Sequence, residues 1–146
     1  MDSAVSLKLA IYEFTAEHAR VPAVSELAPL LGLPAAEVRA GYQRLFSDRV
    51  LVLEPDGETI RMAPPFSGVP TQHVVVSGGK TFYANCAWDS FGILAALHAD
   101  GEVRTRCEQT REPITIRVTR EGPAPVACVA HFAVPAAQWW QDIVFT

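Results

Sequence analysis

Apolar residues recur along the start of the chain at the spacing of one helical face: Val5, Leu7, Leu9, Ala10, Ile11 and Phe14 predict a helix over residues 3–18. Arg20-Val-Pro22 stops it, because the residue before a proline avoids helical dihedrals. A short second helix follows, with Ser25 as its expected N-cap, then Gly32 in a turn. Pro34 suits the first turn of a third helix running to Phe46. Val50–Leu53 and Thr59–Met62, separated by Glu54-Pro-Asp-Gly57, read as a β-hairpin. Helix, short helix, turn, helix and hairpin together are the pattern of a winged helix. Pro64-Pro-Phe-Ser-Gly-Val-Pro70 reads as a linker and places a domain boundary, giving units 1–66 and 67–146. In the second unit, Gln72–Ser77 predicts a strand, Gly78-Gly79 a turn, and Ala84 onward a mostly buried helix that Gly101 ends. Val103–Cys107 and Ile114–Arg120 alternate as a hairpin with one wet face. Val126–Val134 reads as a further strand, and Pro135 opens a final helical segment, 136–144. The fold class expected is α+β, with a small mixed sheet packed on the helix that follows Cys86.

Composition narrows the class. Of 146 residues, 49% are apolar and 19% charged, which supports a packed core and argues against disorder. A net charge of −4 gives no general reason to bind nucleic acid or an anionic membrane. No apolar run approaches the roughly 20 residues that span a bilayer, and the start Met1-Asp-Ser-Ala-Val-Ser lacks the features of a secretory signal, so a cytoplasmic protein is expected. Cys86, Cys107 and Cys128 are an odd set at wide spacing, the pattern of reduced thiols rather than a disulfide framework.

Two sets of residues could carry function. Arg39, Gln43 and Arg44, with Arg49 just beyond, lie on the third helix where a winged helix reads DNA. Residues 1–66 nevertheless hold six basic against nine acidic residues, with Glu54, Asp56 and Glu58 in the wing itself, and acids there oppose phosphate binding. Cys86 and Asp89 are the second set. Three residues apart at the start of a helix, they share one face. The helix dipole favours a thiolate at Cys86, the Asp89 anion opposes it, and the two groups are placed to share a proton. His73, His98 and His131 lack the spacing of a zinc site, and no phosphate-binding loop is present.

Tyr83-Ala-Asn-Cys-Ala-Trp-Asp-Ser-Phe91, the small-apolar helix after it, Arg106-Cys107 on a strand and Pro113-Ile-Thr-Ile-Arg-Val118 resemble the organomercurial (alkylmercury) lyase family. The resemblance implies protonolysis of a carbon–mercury bond, with no cofactor. Cys86 would bind the soft metal as thiolate and Asp89 would deliver the proton to the leaving carbon. Cys107 matches a structural cysteine. A second catalytic cysteine would fall at about Thr146 or just past it, where this sequence has threonine. Three explanations follow: a chain that continues, a binding protein without catalysis, or substitution by Cys107 or by Cys128, a further candidate mercury ligand. The expected partner is an organomercurial or mercuric ion, and Trp139-Trp140 leaves room for a homodimer. Two other readings stay open: a winged-helix transcription regulator sensing a thiol-reactive or metal ligand, and a non-catalytic interaction module of the same fold.

Overall fold

The computed structural model describes residues 3–144. Three helices come first: α1 (Ser3–His18), α2 (Val24–Leu31) and α3 (Ala35–Ser47). Leu7, Ile11 and Phe14 of α1 meet Leu27 of α2 and Val38, Tyr42 and Leu45 of α3 in one buried cluster. Ser25 lies inside α2 instead of capping it; the N-cap is Ala23, whose N–H donates to Glu26 Oε2 at 2.9 Å. Glu26 also accepts from Arg20, and that hydrogen bond, ahead of the one from Ala23, pulls its carboxyl down to about 2.

The hairpin of β1 (Val52–Leu53) and β2 (Ile60–Ala63) follows, with Asp56 accepting the N–H groups of Glu58 and Thr59 at its turn. The proline-rich stretch expected as a linker carries a strand, β3 (Phe66–Ser67), which pairs antiparallel with β2. Gly68 sits where an added Cβ would run into the backbone carbonyl oxygen of Ile60. Backbone, unlike a long side chain, cannot swing aside. Gly68→Ala is therefore expected to lower unfolding stability by about 1–3 kcal/mol, read as a shifted midpoint in urea.

The second sheet runs β5-β4-β6-β7-β8, with β4 (Val74–Ser77), β5 (Lys80–Tyr83), β6 (Gly101–Arg106), β7 (Pro113–Thr119) and β8 (Gly122–Pro123). Its pairings are antiparallel throughout rather than mixed, because β4–β5 and β6–β7 are hairpins and the crossover through α4 (Ala87–Leu97) returns β6 antiparallel to β4. The class is α+β. Phe66, Val75, Phe82, Ile93, Leu94, Val103 and Ile116 form a second buried cluster under α4, and Tyr12 of α1 packs against both clusters.

Four sequence expectations in this half are corrected. Helix α4 begins at Ala87 rather than Ala84, since Ala84 still bridges to Phe66 in extended backbone. It ends at His98, a left-handed C-cap with φ 49°, while Gly101 opens β6; a Cβ at Gly101 would stand 2.6 Å from both Val76 O and Leu94 Cδ2, so only glycine lets β6 close on β4 and the helix. Val126–Val134 is not a strand. It runs irregular and exposed, Val129 90% so, because no described strand beyond β8 offers it a ladder. A short 3-10 helix, Ala136–Gln141, replaces the expected longer segment. No helix among the described residues is long and apolar enough to cross a membrane.

Candidate active site

Helix α4 is positioned by its apolar face, where Ile93 and Leu94 are buried against the sheet. Its first turn carries the chemistry. Cys86 is the N-cap, in extended backbone (φ −147°, ψ 176°), and its Sγ accepts the Asp89 N–H at 3.4 Å. That is the place a capping oxygen takes on an ordinary helix. Ser90, fully buried, donates to Cys86 O at 3.3 Å and fixes the cap from below.

Burial pushes the Cys86 thiol above the ordinary range; the N–H groups of Asp89 and Trp88 pull the other way, and the Asp89 charge adds to the rise. Asp89 is also raised, by burial first, against hydrogen bonds from Asn85 and Cys86 that favour its anion. Both groups therefore hold protons more tightly than their free counterparts. The helix dipole, expected to favour a thiolate, is outweighed by desolvation. Asn85, which precedes the cap, donates from Nδ2 to Asp89 Oδ2 at 3.1 Å and faces Pro65 O and Phe66 O, each at 3.3 Å. Its Oδ1 is buried without a partner, an arrangement that costs about 1–3 kcal/mol when nothing else compensates. The carboxylate is also felt by Tyr12 of α1, whose hydroxyl is raised by burial first and then by Asp89.

Two residues after Cys86, Trp88 is 57% exposed and forms one wall of a cleft of about 490 Å³ that Phe132, Val134, Pro135, Ala136 and Trp139 complete. Phe132 meets Trp88 edge-on at 6.1 Å between ring centroids and lies 5.3 Å from Trp139, whose Nε1 donates to Val134 O at 3.0 Å.

The remaining sequence candidates are dispersed. Cys107 lies past the end of β6 in a turn where the Thr110 hydroxyl, and then the N–H groups of Thr110 and Gln109, lower its thiol. Cys128 is exposed in the irregular segment, and all three cysteines are free. Among the described residues no three His, Cys, Asp or Glu side chains converge as a metal site, so Cys86, Asp89 and Cys128 are not gathered into one. Thr146 lies outside the described residues. Arg39 pairs with Glu58 and Gln43 donates to Gly57 O, so both reach back to the hairpin; Arg44 is exposed on the same helix. Asn85 and Tyr12 were not legible as site residues: Asn85 stands four residues before Asp89, the one local signal, and Tyr12 comes from the first helix, far away in the chain.

These thiol environments predict an order of reactivity. A lowered pKa raises the thiolate fraction at a given pH, and a raised one reduces it. At pH 7 iodoacetamide is expected to label Cys107 ahead of Cys86, followed by peptide mass spectrometry. The Cys86 rate is expected to keep climbing above about pH 9, where an ordinary thiol with a pKa of about 8.5 is already mostly ionised.

A thiol and a carboxyl on one helix turn, adjacent in sequence to Trp88 and its apolar cleft, suit a soft metal bound to an organic group. Residues 66–146 match the sequence model of the MerB family, alkylmercury lyase, and the chain belongs to that family. Among solved structures, the mercury-bound form of MerB2 is similar, with a TM-score of 0.69 and 27% identity over 87% of this chain and 61% of that one. The chain thus spans about three-fifths of the length of that protein. No curated protein matches.

Proposed function

We propose that this chain captures organomercurials at Cys86 and protonates the carbon leaving mercury from Asp89. The observation that carries the reading is the placement of the two groups on one helix turn, sulfur against the Asp89 N–H, with both pKa values raised. The steps balance. R–Hg–X meets the Cys86 thiol and the Asp89 carboxylate; an S–Hg bond forms, X⁻ leaves, and the thiol proton passes to Asp89. Asp89 then gives that proton to carbon, the C–Hg bond breaks as R–H forms, and mercury stays on sulfur until a small-molecule thiol carries it off. Thiolate is the ligand that soft mercury prefers. A proton donor contributes most when its pKa lies closer to working pH than a free carboxylate's does, and burial moves Asp89 that way.

The N-terminal unit, residues 1–66, is read as a winged-helix-like support for the unit 67–146. Its third helix and hairpin are tied together by Arg39–Glu58 and Gln43–Gly57, which leaves those side chains engaged within the protein. Duplex DNA is expected to show no mobility shift even at low ionic strength, where any phosphate contact would be strongest. The capture step is tested by equilibrating the protein with one equivalent of phenylmercury and a competing small thiol, so that the adduct settles on the tightest site instead of the fastest, and mapping it by peptide mass spectrometry. Adduct on Cys86 supports the reading, and adduct confined to Cys107 and Cys128 removes it.

A further inference from the structure

We infer that Asn85 is a positioning residue: its amide fixes the Asp89 carboxylate beside Cys86 and moors it, through the Pro64–Phe66 segment, to Tyr12 of the first helix. The inference rests on the reading of Asp89 as proton donor.

Asn85 Nδ2 has two hydrogens and three oxygens before it: Asp89 Oδ2 at 3.1 Å, Pro65 O at 3.3 Å and Phe66 O at 3.3 Å. Two are carbonyls, which only accept, so a flipped amide would set oxygen against oxygen. The other end of the amide, Oδ1, is buried with no partner. Buried polar atoms are nearly always paired, so the side chain is held in place entirely by what its nitrogen reaches. That nitrogen occupies Oδ2 of Asp89 and leaves Oδ1 of the carboxylate for the transferable proton.

The moorings are themselves fixed. Phe66 is 3% exposed, its strand pairs with β2, and its backbone bridges Ala84, the residue before Asn85. Tyr12 donates to Pro64 O at 2.8 Å across 52 residues of sequence, and its ring lies 6.3 Å from that of Phe66. Helix α4, which carries Asp89, rests on the same segment: a Cβ at Gly92 would stand 3.2 Å from Pro65 Cβ. One short stretch of backbone therefore receives the N-terminal helix, the Asn85 amide and the helix bearing the acid. This gives the N-terminal unit a role in the reaction without any contact with substrate.

The experiment compares wild type, Asn85→Leu, Tyr12→Phe, the double variant and Cys86→Ser. Phenylmercury bound per chain and benzene released in a single turnover with excess small thiol are both measured. Asn85→Leu is expected to bind one phenylmercury at Cys86 as wild type does and to release benzene about 10–100-fold more slowly, the loss typical of a misplaced catalytic group. Tyr12→Phe is expected to slow release by about 2–5-fold, and the double variant to be no slower than Asn85→Leu, as for residues acting through one path. Release at the wild-type rate by Asn85→Leu overturns the inference. If wild type releases no more benzene than Cys86→Ser, the lyase reading falls instead. The mooring is then decided by the Asn85 side-chain amide resonances in 15N-labelled protein. A downfield proton that returns to the ordinary range in Asp89→Ala sustains it, and resonances unchanged by that substitution overturn it.

Discussion

Asp89→Asn is expected to leave phenylmercury capture intact and to slow benzene release by about 100–10,000-fold, the range that a positioned proton donor contributes. Asparagine keeps the shape of aspartate, so the Asp89 N–H still reaches Cys86 Sγ and the helix cap survives. What it removes is the acid. Capture requires only that the thiol lose a proton, which buffer can accept, whereas protonation of a leaving carbanion inside a buried site has no equivalent substitute. The substitution thus separates the two halves of the reaction: binding stoichiometry near that of wild type, with bound phenylmercury persisting on Cys86. Cys86→Ser is expected to lose benzene release and the adduct at position 86, since a hydroxyl is a hard, weakly acidic oxygen with little affinity for mercury, while Cys107 and Cys128 still take up phenylmercury.

The largest expected effect on stability comes from Phe82→Ala. Phe82 is 2% exposed on β5, paired in register with Val75, and its ring lies 5.8 Å from that of Phe66 at 50°. Deleting it leaves a cavity between the sheet and the segment that carries the Asn85 moorings. The expected cost is about 3–5 kcal/mol, a large share of the roughly 5–15 kcal/mol that holds a domain together. Urea unfolding monitored by circular dichroism should show the midpoint fall with the slope unchanged. Because α4 buries Ile93 and Leu94 in the same cluster, single-turnover release should fall as well under conditions where the variant remains folded.

Much of this architecture was legible before any coordinates. The apolar spacing of residues 5–14 marks α1 with its observed limits, and the Pro-Asp-Gly turn marks the β1–β2 hairpin. Cys86 and Asp89 were legible as neighbours from their spacing at a helix start, although the contact is that of an N-cap with the third helical residue rather than of two residues on one helix face. Most of the failures originate in partners distant in sequence, and one in a local brace. Val126–Val134 is apolar at nearly every position, and such a run becomes a strand only where another strand completes its ladder; here the chain leaves the sheet after β8. Ser25 is a good capping residue, yet the Glu26 carboxylate, braced by Arg20, satisfies the Ala23 N–H and starts α2 earlier. Three prolines in seven residues read as a tether, but Phe66 among them is a core residue and Pro64, Pro65 and Phe66 offer the carbonyls on which the site is moored. Asn85 carries no signal in a single sequence beyond its nearness to Asp89. Its role emerges from acceptors about 20 residues away and from Tyr12 beyond them.

The aromatic cleft walled by Trp88 would receive the organic group in the proposed reaction. Its walls are rings and small aliphatic side chains, suited to a hydrocarbon ligand on the metal.

The most direct measurement is benzene release from stoichiometric phenylmercury in the presence of excess small thiol, followed by gas chromatography of the headspace for wild type, Cys86→Ser and Asp89→Asn. Wild type is expected to release benzene well above the protein-free rate, Cys86→Ser only at that rate, and Asp89→Asn at least about 100-fold more slowly than wild type. Equal release by all three would contradict capture at Cys86 and proton delivery from Asp89.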